Sequence, residues 1–181
     1  MLFNQLGLSA ELLRAVEKQG YQTATPIQQQ AIPPILDGRD VLAGAQTGTG
    51  KTAAFLVTVI TRILTFSDRD PRLPAALIVA PTRELSHQIF EEARTLSRHT
   101  DLKIAEIVGG IDYKRQADIL RRGTDMVICT PGRIIDYLKQ GIPGLIVPDE
   151  APYFEALGAA LWALEHETAA VRSQAHLFRS E

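Results

Sequence analysis

The chain has 181 residues, enough for one domain with a sizeable core and cramped for two. Its 45% hydrophobic residues exclude a disordered polar chain, its apolar runs are too short to cross a bilayer, and Met1-Leu2-Phe3-Asn4 does not open a signal peptide, so a soluble cytoplasmic protein without a membrane partner is expected. With 19 basic and 21 acidic residues the net charge is -2, so no global field draws nucleic acid in, and any contact with a phosphate backbone must come from local groups.

In chain order, Leu2 to Leu8 is an apolar lead-in, and Ser9 caps a helix to about Gln19 with Gly20 as its stop. Thr25 before Pro26 reads as an N-cap with proline in the first helical position, and Pro33-Pro34 constrain the helix that follows. Gln28 carries a donor and an acceptor, the complement of an adenine edge, and Phe3 and Tyr21 are rings that stack on a base. A surface glutamine and two core aromatics explain the same residues equally well.

Asp40 to Ala43 reads as a strand and Thr52 to Leu64 as an amphipathic helix. Between them lies Ala45-Gln46-Thr47-Gly48-Thr49-Gly50-Lys51-Thr52, a phosphate-binding loop. Gly48 and Gly50 let backbone N–H groups approach polyphosphate, Lys51 reaches the outer phosphates, and Thr52 offers Mg²⁺ a hydroxyl where a helix N-terminus favours anions. Ala45 stands where the pattern usually has glycine, which requires a negative φ there.

Asp68 to Pro74 reads as a loop and Ala75 to Ala80 as a buried strand, followed by Pro81-Thr82-Arg83-Glu84-Leu85 and a helix to about Arg98. Thr82 and Arg83 then lie where a strand's C-terminal end meets a helix, the crevice in which open α/β sheets bind ligands. A capped helix with an exposed arginine is the plainer reading. Leu102 to Val108 is a further strand, ending in Gly109-Gly110, which allows either a tight turn or close approach by a ligand. The basic helix Ile111 to Arg122 reads as a solvated face. Asp125 to Cys129 is the next strand, then Thr130-Pro131-Gly132-Arg133 and a helix to about Lys139; hydroxyl, glycine amide and guanidinium at one strand end suit phosphate. Cys129, the sole cysteine, excludes an internal disulfide and reads as a core residue, while His87, His99, His166 and His176 lack ligand spacing. Near the end, Leu145-Ile146-Val147-Pro148 reads as a strand before Asp149-Glu150-Ala151-Pro152, and Tyr153 to Glu167 as an alanine-rich packing helix, a surface on which a homo-oligomer can form.

Strands alternating with helices give an α/β three-layer P-loop NTPase domain with a mostly parallel five-stranded sheet, at about 40–44, 75–80, 104–108, 125–129 and 145–148. Nucleotide is expected at the strands' C-terminal ends, against the Thr52 helix.

Phe3 with Leu6-Gly7-Leu8, Gly20-Tyr21, Thr25-Pro26-Ile27-Gln28, the Ala45 to Thr52 loop, Pro81 to Leu85 and Thr130 to Arg133 together resemble the N-terminal, RecA-like lobe of DEAD-box RNA helicases over residues of about 1–140. The resemblance implies that Gln28 reads adenine with Thr25 supporting the loop and Phe3 and Tyr21 near the base. It also implies that Thr82, Arg83, Gly109, Gly110, Thr130 and Arg133 meet an RNA backbone, and that Asp149 holds Mg²⁺ through water while Glu150 orients the attacking water alongside Lys51. Ala24, Pro148 and Pro152 depart from the family pattern. Residues 141–181 form an atypical strand–helix unit whose wording is similar to a segment of the actin-like activator ATPases of 2-hydroxyacyl-CoA dehydratases, which suggests a chimera within a single domain of 1–181.

The expectation is therefore an ATP- or ADP-Mg-binding helicase lobe that contacts RNA weakly, needs a second helicase lobe as partner, and unwinds little by itself. The alternative is a catalytically idle chimera or fragment that retains only nucleotide binding. An unrelated P-loop kinase fits less well, since it needs neither Gln28 nor the strings at Arg83 and Arg133.

Overall fold

The computed structural model describes residues 1–65 and 73–139. The chain divides into two compact units, Met1–Gly144 and Leu145–Glu181, and all the described residues belong to the first. Six α-helices and three strands are described: α1 (Ala10–Lys18), α2 (Pro26–Leu36), α3 (Lys51–Thr65), β1 (Ala76–Val79), α4 (Arg83–Leu96), β2 (Ile104–Ile107), α5 (Tyr113–Arg121), β3 (Met126–Cys129) and α6 (Pro131–Lys139).

The helix starts follow from their caps. Ser9 Oγ accepts from Leu12 N, Thr82 Oγ1 from Leu85 N and Asp112 from Arg115 N, each satisfying one of the donors that a first turn leaves open. At α2, Thr25 and Gln28 form a capping box with Pro26 in the first turn, and the helix runs on through Pro33 and Pro34 to Leu36.

The three strands form a parallel sheet in the order β1-β3-β2. Register puts Ala76, Met126 and Ile104 side by side, with Ile78 and Ile128 two residues on. Alternation makes these one face of the sheet, and they pack into a core with Leu12 and Val16 of α1, Ile32 of α2, Leu56, Val57 and Ile60 of α3, and Ile89 and Ala93 of α4. The other face carries Ala105, Ile107, Val127 and Cys129, all buried, and α5 packs against β2. β3, paired on both sides, is buried at every position, as a central parallel strand requires. Cys129 is fully buried and its thiol is pushed up to about 11 by burial, a core residue rather than a nucleophile.

One expected strand is corrected. Residues 40–44 form no strand: they lack a ladder partner among the described residues, and Leu42 is 83% exposed. A strand exists only where a neighbour takes its N–H and C=O groups, whatever its apolar pattern. The strand expected at 145–148, residues 68–72 of the expected Asp68 to Pro74 loop, the helix from Tyr153 to Glu167, and Asp149 and Glu150 lie outside the described residues.

Candidate nucleotide and RNA-backbone site

The phosphate loop leads directly into α3, and Gly48 and Gly50 take φ of 81° and 86°. No other residue type among the described residues has a positive φ, so Ala45 meets the condition set by its side chain. Gly50 is needed for a second reason: a Cβ there would collide with the Gln28 side-chain amide.

That collision marks how closely α2 and the loop are joined. Thr25 Oγ1 donates to Thr49 O at 2.8 Å, and Gln28 Nε2 donates to Gly50 O at 3.1 Å. Gln28 Oε1 accepts from Thr25 N at 2.9 Å, so both ends of the amide are used by protein, and the side chain is 2% exposed. Lys51 Nζ donates to the carbonyls of Ala45 and of Gln46, the latter at 2.8 Å. The loop is therefore held by side chains that grip its carbonyl oxygens, leaving its N–H groups for a ligand.

A cavity of about 890 Å³ opens beside the loop, bounded by Thr47, Gly48, Gly50, Lys51 and Thr52 on one side and by α2 and α4 on the others. Tyr21, 39% exposed, lines it. Gln28 does not. Phe3 lies in the core at 4% exposure, its ring centroid 6.1 Å from that of Tyr21. Of the three groups expected near a base, the structure brings only Tyr21 to the cavity wall. Glu92 of α4 also lines it, half-buried, and burial raises its carboxyl above the usual range.

For Mg²⁺ the described residues offer the Thr52 hydroxyl at the start of α3, and no cluster of three or more acidic, histidine or cysteine groups. That donor set suits an ion that keeps its waters and takes further oxygens from a nucleotide rather than from a protein cage.

The second set of expected residues assembles at the C-terminal ends of all three strands. Arg83 follows β1, Gly109 and Gly110 follow β2, and Thr130 to Arg133 follow β3. The Arg83 guanidinium lies over the glycine pair: a Cβ on Gly110, at φ 85°, would stand 2.7 Å from Arg83 Nη1, and one on Gly109 3.2 Å from Nη2. The expected contacts of three separate strings thus form one ledge.

Three residues that sequence reasoning left without a role complete it. Tyr113 and Tyr137 stack with ring centroids 4.3 Å apart, and the Arg133 guanidinium carbon lies 5.5 Å from the Tyr113 centroid. Tyr137 Oη donates to Tyr113 O at 2.7 Å, and Gln116, 1% exposed, donates through Nε2 to Val108 O at 3.0 Å. The available signal was spacing: Tyr113 and Gln116 are three apart on one helix, Arg133 and Tyr137 four apart on another.

A loop of main-chain amides at a helix start, under a cavity beside an α/β parallel sheet, defines a P-loop nucleotide-binding domain of RecA-like type. The profile of the DEAD/DEAH box helicases matches residues 25–166, so the chain belongs to that family, and the match is to its N-terminal lobe. It is 46% identical over 138 residues to the ATP-dependent RNA helicase SrmB of Haemophilus influenzae, covering 76% of this chain and 31% of that protein. It is 43% identical over 164 residues to the ATP-dependent RNA helicase RhlB of Shewanella denitrificans and 47% over 164 residues to RhlB of Hamiltonella defensa, covering 86% of this chain and 38% and 39% of theirs. The chain spans about a third of the length of these curated relatives. No helix among the described residues is long and apolar enough to cross a membrane.

Proposed function

We propose that this chain binds ATP or ADP with Mg²⁺ in the cavity beside the phosphate loop and an RNA backbone along the Arg83–Arg133 ledge, as the N-terminal lobe of an RNA-dependent ATPase. The observation that carries the reading is the loop itself: its carbonyls are held by Thr25, Gln28 and Lys51, and its glycines are at positive φ beside the start of α3. Amides so fixed need no reorganisation when polyphosphate arrives.

On binding, Lys51 exchanges the Ala45 and Gln46 carbonyls for phosphate oxygens, a move between two nearby acceptors. Thr52 would help to hold Mg²⁺, which would offset charge on the phosphate oxygens; for Asp149 and Glu150, outside the described residues, the family resemblance implies Mg²⁺ held through water and orientation of the attacking water. Tyr21 offers the base a stacking face. Gln28 acts first as a support for the loop, and its second N–H and remaining oxygen lone pair are what it would turn to adenine.

Tested by itself, this lobe turns over slowly, since the charge-stabilising arginines of related hydrolases, worth about 10³ to 10⁵ in rate, would come from a second lobe. Calorimetry with ADP and GDP tests the pocket: ADP should bind at least tenfold tighter, and equal affinities would remove the adenine reading. Steady-state hydrolysis with and without RNA separates an enzyme from an idle domain, and Glu150→Gln should abolish whatever turnover is found.

A further inference from the structure

The ledge has a brace beneath it. Arg133 and Tyr137 project from the same face of α6, one turn apart. Tyr137 is fully buried; its hydroxyl donates to Tyr113 O at 2.7 Å and lies 3.4 Å from Gln116 Oε1. Gln116 in turn holds the carbonyl of Val108, the residue before Gly109-Gly110. The Tyr137 ring stacks on Tyr113, whose ring lies under Arg133. Burial pushes the Tyr137 phenol up, while hydrogen bonding with the Arg133 side chain and then its charge pull it down, which places the two side chains in direct reach of each other. Arg133 Nη1 is buried without an acceptor, so packing against the ring, not hydrogen bonding at that atom, fixes this edge of the guanidinium.

Resting on the RNA reading above, we propose that Tyr137 is a positioning residue for RNA-backbone binding: it touches no RNA, but through Tyr113 and Gln116 it holds Arg133 and the Gly109-Gly110 turn in one rigid ledge. Its hydroxyl joins α6 to α5, and its ring sets the height of the platform on which the guanidinium rests.

The test is anisotropy titration of a short fluorescein-labelled oligouridylate at salt concentrations between about 50 and 200 mM. Arg133→Ala should weaken binding about tenfold and reduce the salt slope by about 0.7, the loss of one single-strand phosphate contact. Tyr137→Phe keeps the ring stack but strips Tyr113 O of its donor and removes the hydroxyl beside Gln116 Oε1, and should weaken binding by a similar factor of about ten with the same drop in slope. The double variant should bind no worse than Arg133→Ala, because both changes remove the same contact. ADP affinity should stay unchanged in all three.

Losses that add in the double variant, or wild-type RNA affinity in Tyr137→Phe, overturn the positioning role. If the Phe substitution unfolds the protein, Tyr113→Leu at the half-buried platform makes the same prediction and is judged by the same non-additivity. If Arg133→Ala binds RNA as the wild type does, the RNA reading of the ledge falls and takes this proposal with it. If Arg133→Ala is weakened and Tyr137→Phe is not, only the positioning role falls.

Discussion

The phosphate loop and the Arg83–Arg133 ledge both present groups suited to phosphate, by opposite means. In the loop the backbone is the binding element, and side chains serve to hold it: Thr25, Gln28 and Lys51 each take a loop carbonyl. On the ledge the proposed binding element is the arginine side chains, and backbone and rings hold them, with Gly109-Gly110 under Arg83 and Tyr113 under Arg133. The difference teaches where each region is fragile: the loop to a change of φ or a single added methyl, the ledge to loss of charge or of the packing beneath it.

The largest effect expected is that of Lys51→Ala. It removes the one ammonium at the loop, so ADP affinity should fall about 100-fold by calorimetry, with RNA affinity unchanged. If RNA binding falls by the same factor, the two regions are not independent and the contrast is broken.

Next comes Gly50→Ala. It combines a φ of 86° with a Cβ that meets the Gln28 amide, and should cost about 2 kcal/mol of stability and at least tenfold in ADP affinity. Adding Gln28→Ala removes the collision but not the φ strain, so thermal melts should show recovery of part of the loss. Full recovery would mean that crowding alone requires glycine there.

Arg83→Ala sharpens the contrast from the other side. RNA affinity should drop about tenfold with a shallower salt dependence, while ADP binding holds. Gly110→Ala should act on the same contact more weakly, about threefold to fivefold, since it displaces Arg83 from a Cβ position 2.7 Å away without removing its charge.

These two regions were not equally legible in the sequence. The loop is a contiguous string whose spacing is dictated by main-chain geometry, so Ala45 to Thr52 could be placed before any fold was known. The strands after it were legible too, at 76–79, 104–107 and 126–129, because each is a short, nearly continuous apolar run, although only β3 is buried on both faces and Leu77 and Val79 of β1 are exposed. Residues 40–44 carried the same signal and formed no strand, because a pattern cannot supply a ladder partner. Gln28 was read toward a base, yet its donor and acceptor fit the Gly50 carbonyl and the Thr25 amide equally well. The brace under the ledge was hidden for a further reason: Tyr113, Gln116 and Tyr137 come together only once α5 and α6 pack, and no local pattern encodes a contact 21 or 24 residues distant.

The smallest expected effect concerns Glu92, which faces the cavity on the loop's side of the molecule. Burial raises its carboxyl from the ordinary 4.5, so the folded protein holds that proton to higher pH than the unfolded chain does. Below pH 4.5 both states are protonated and the group is neutral in its effect. As pH rises through the folded value the native state must accept a half-buried charge, and stability is lost. Glu92→Gln removes that loss: its unfolding free energy should match the wild type near pH 4 and exceed it slightly at pH 7, by no more than about 0.5 kcal/mol given solvent screening. A gap that is the same at both pH values would mean that the substitution acts through packing, and that the α4 wall of the cavity carries no charge strain to set against the ledge.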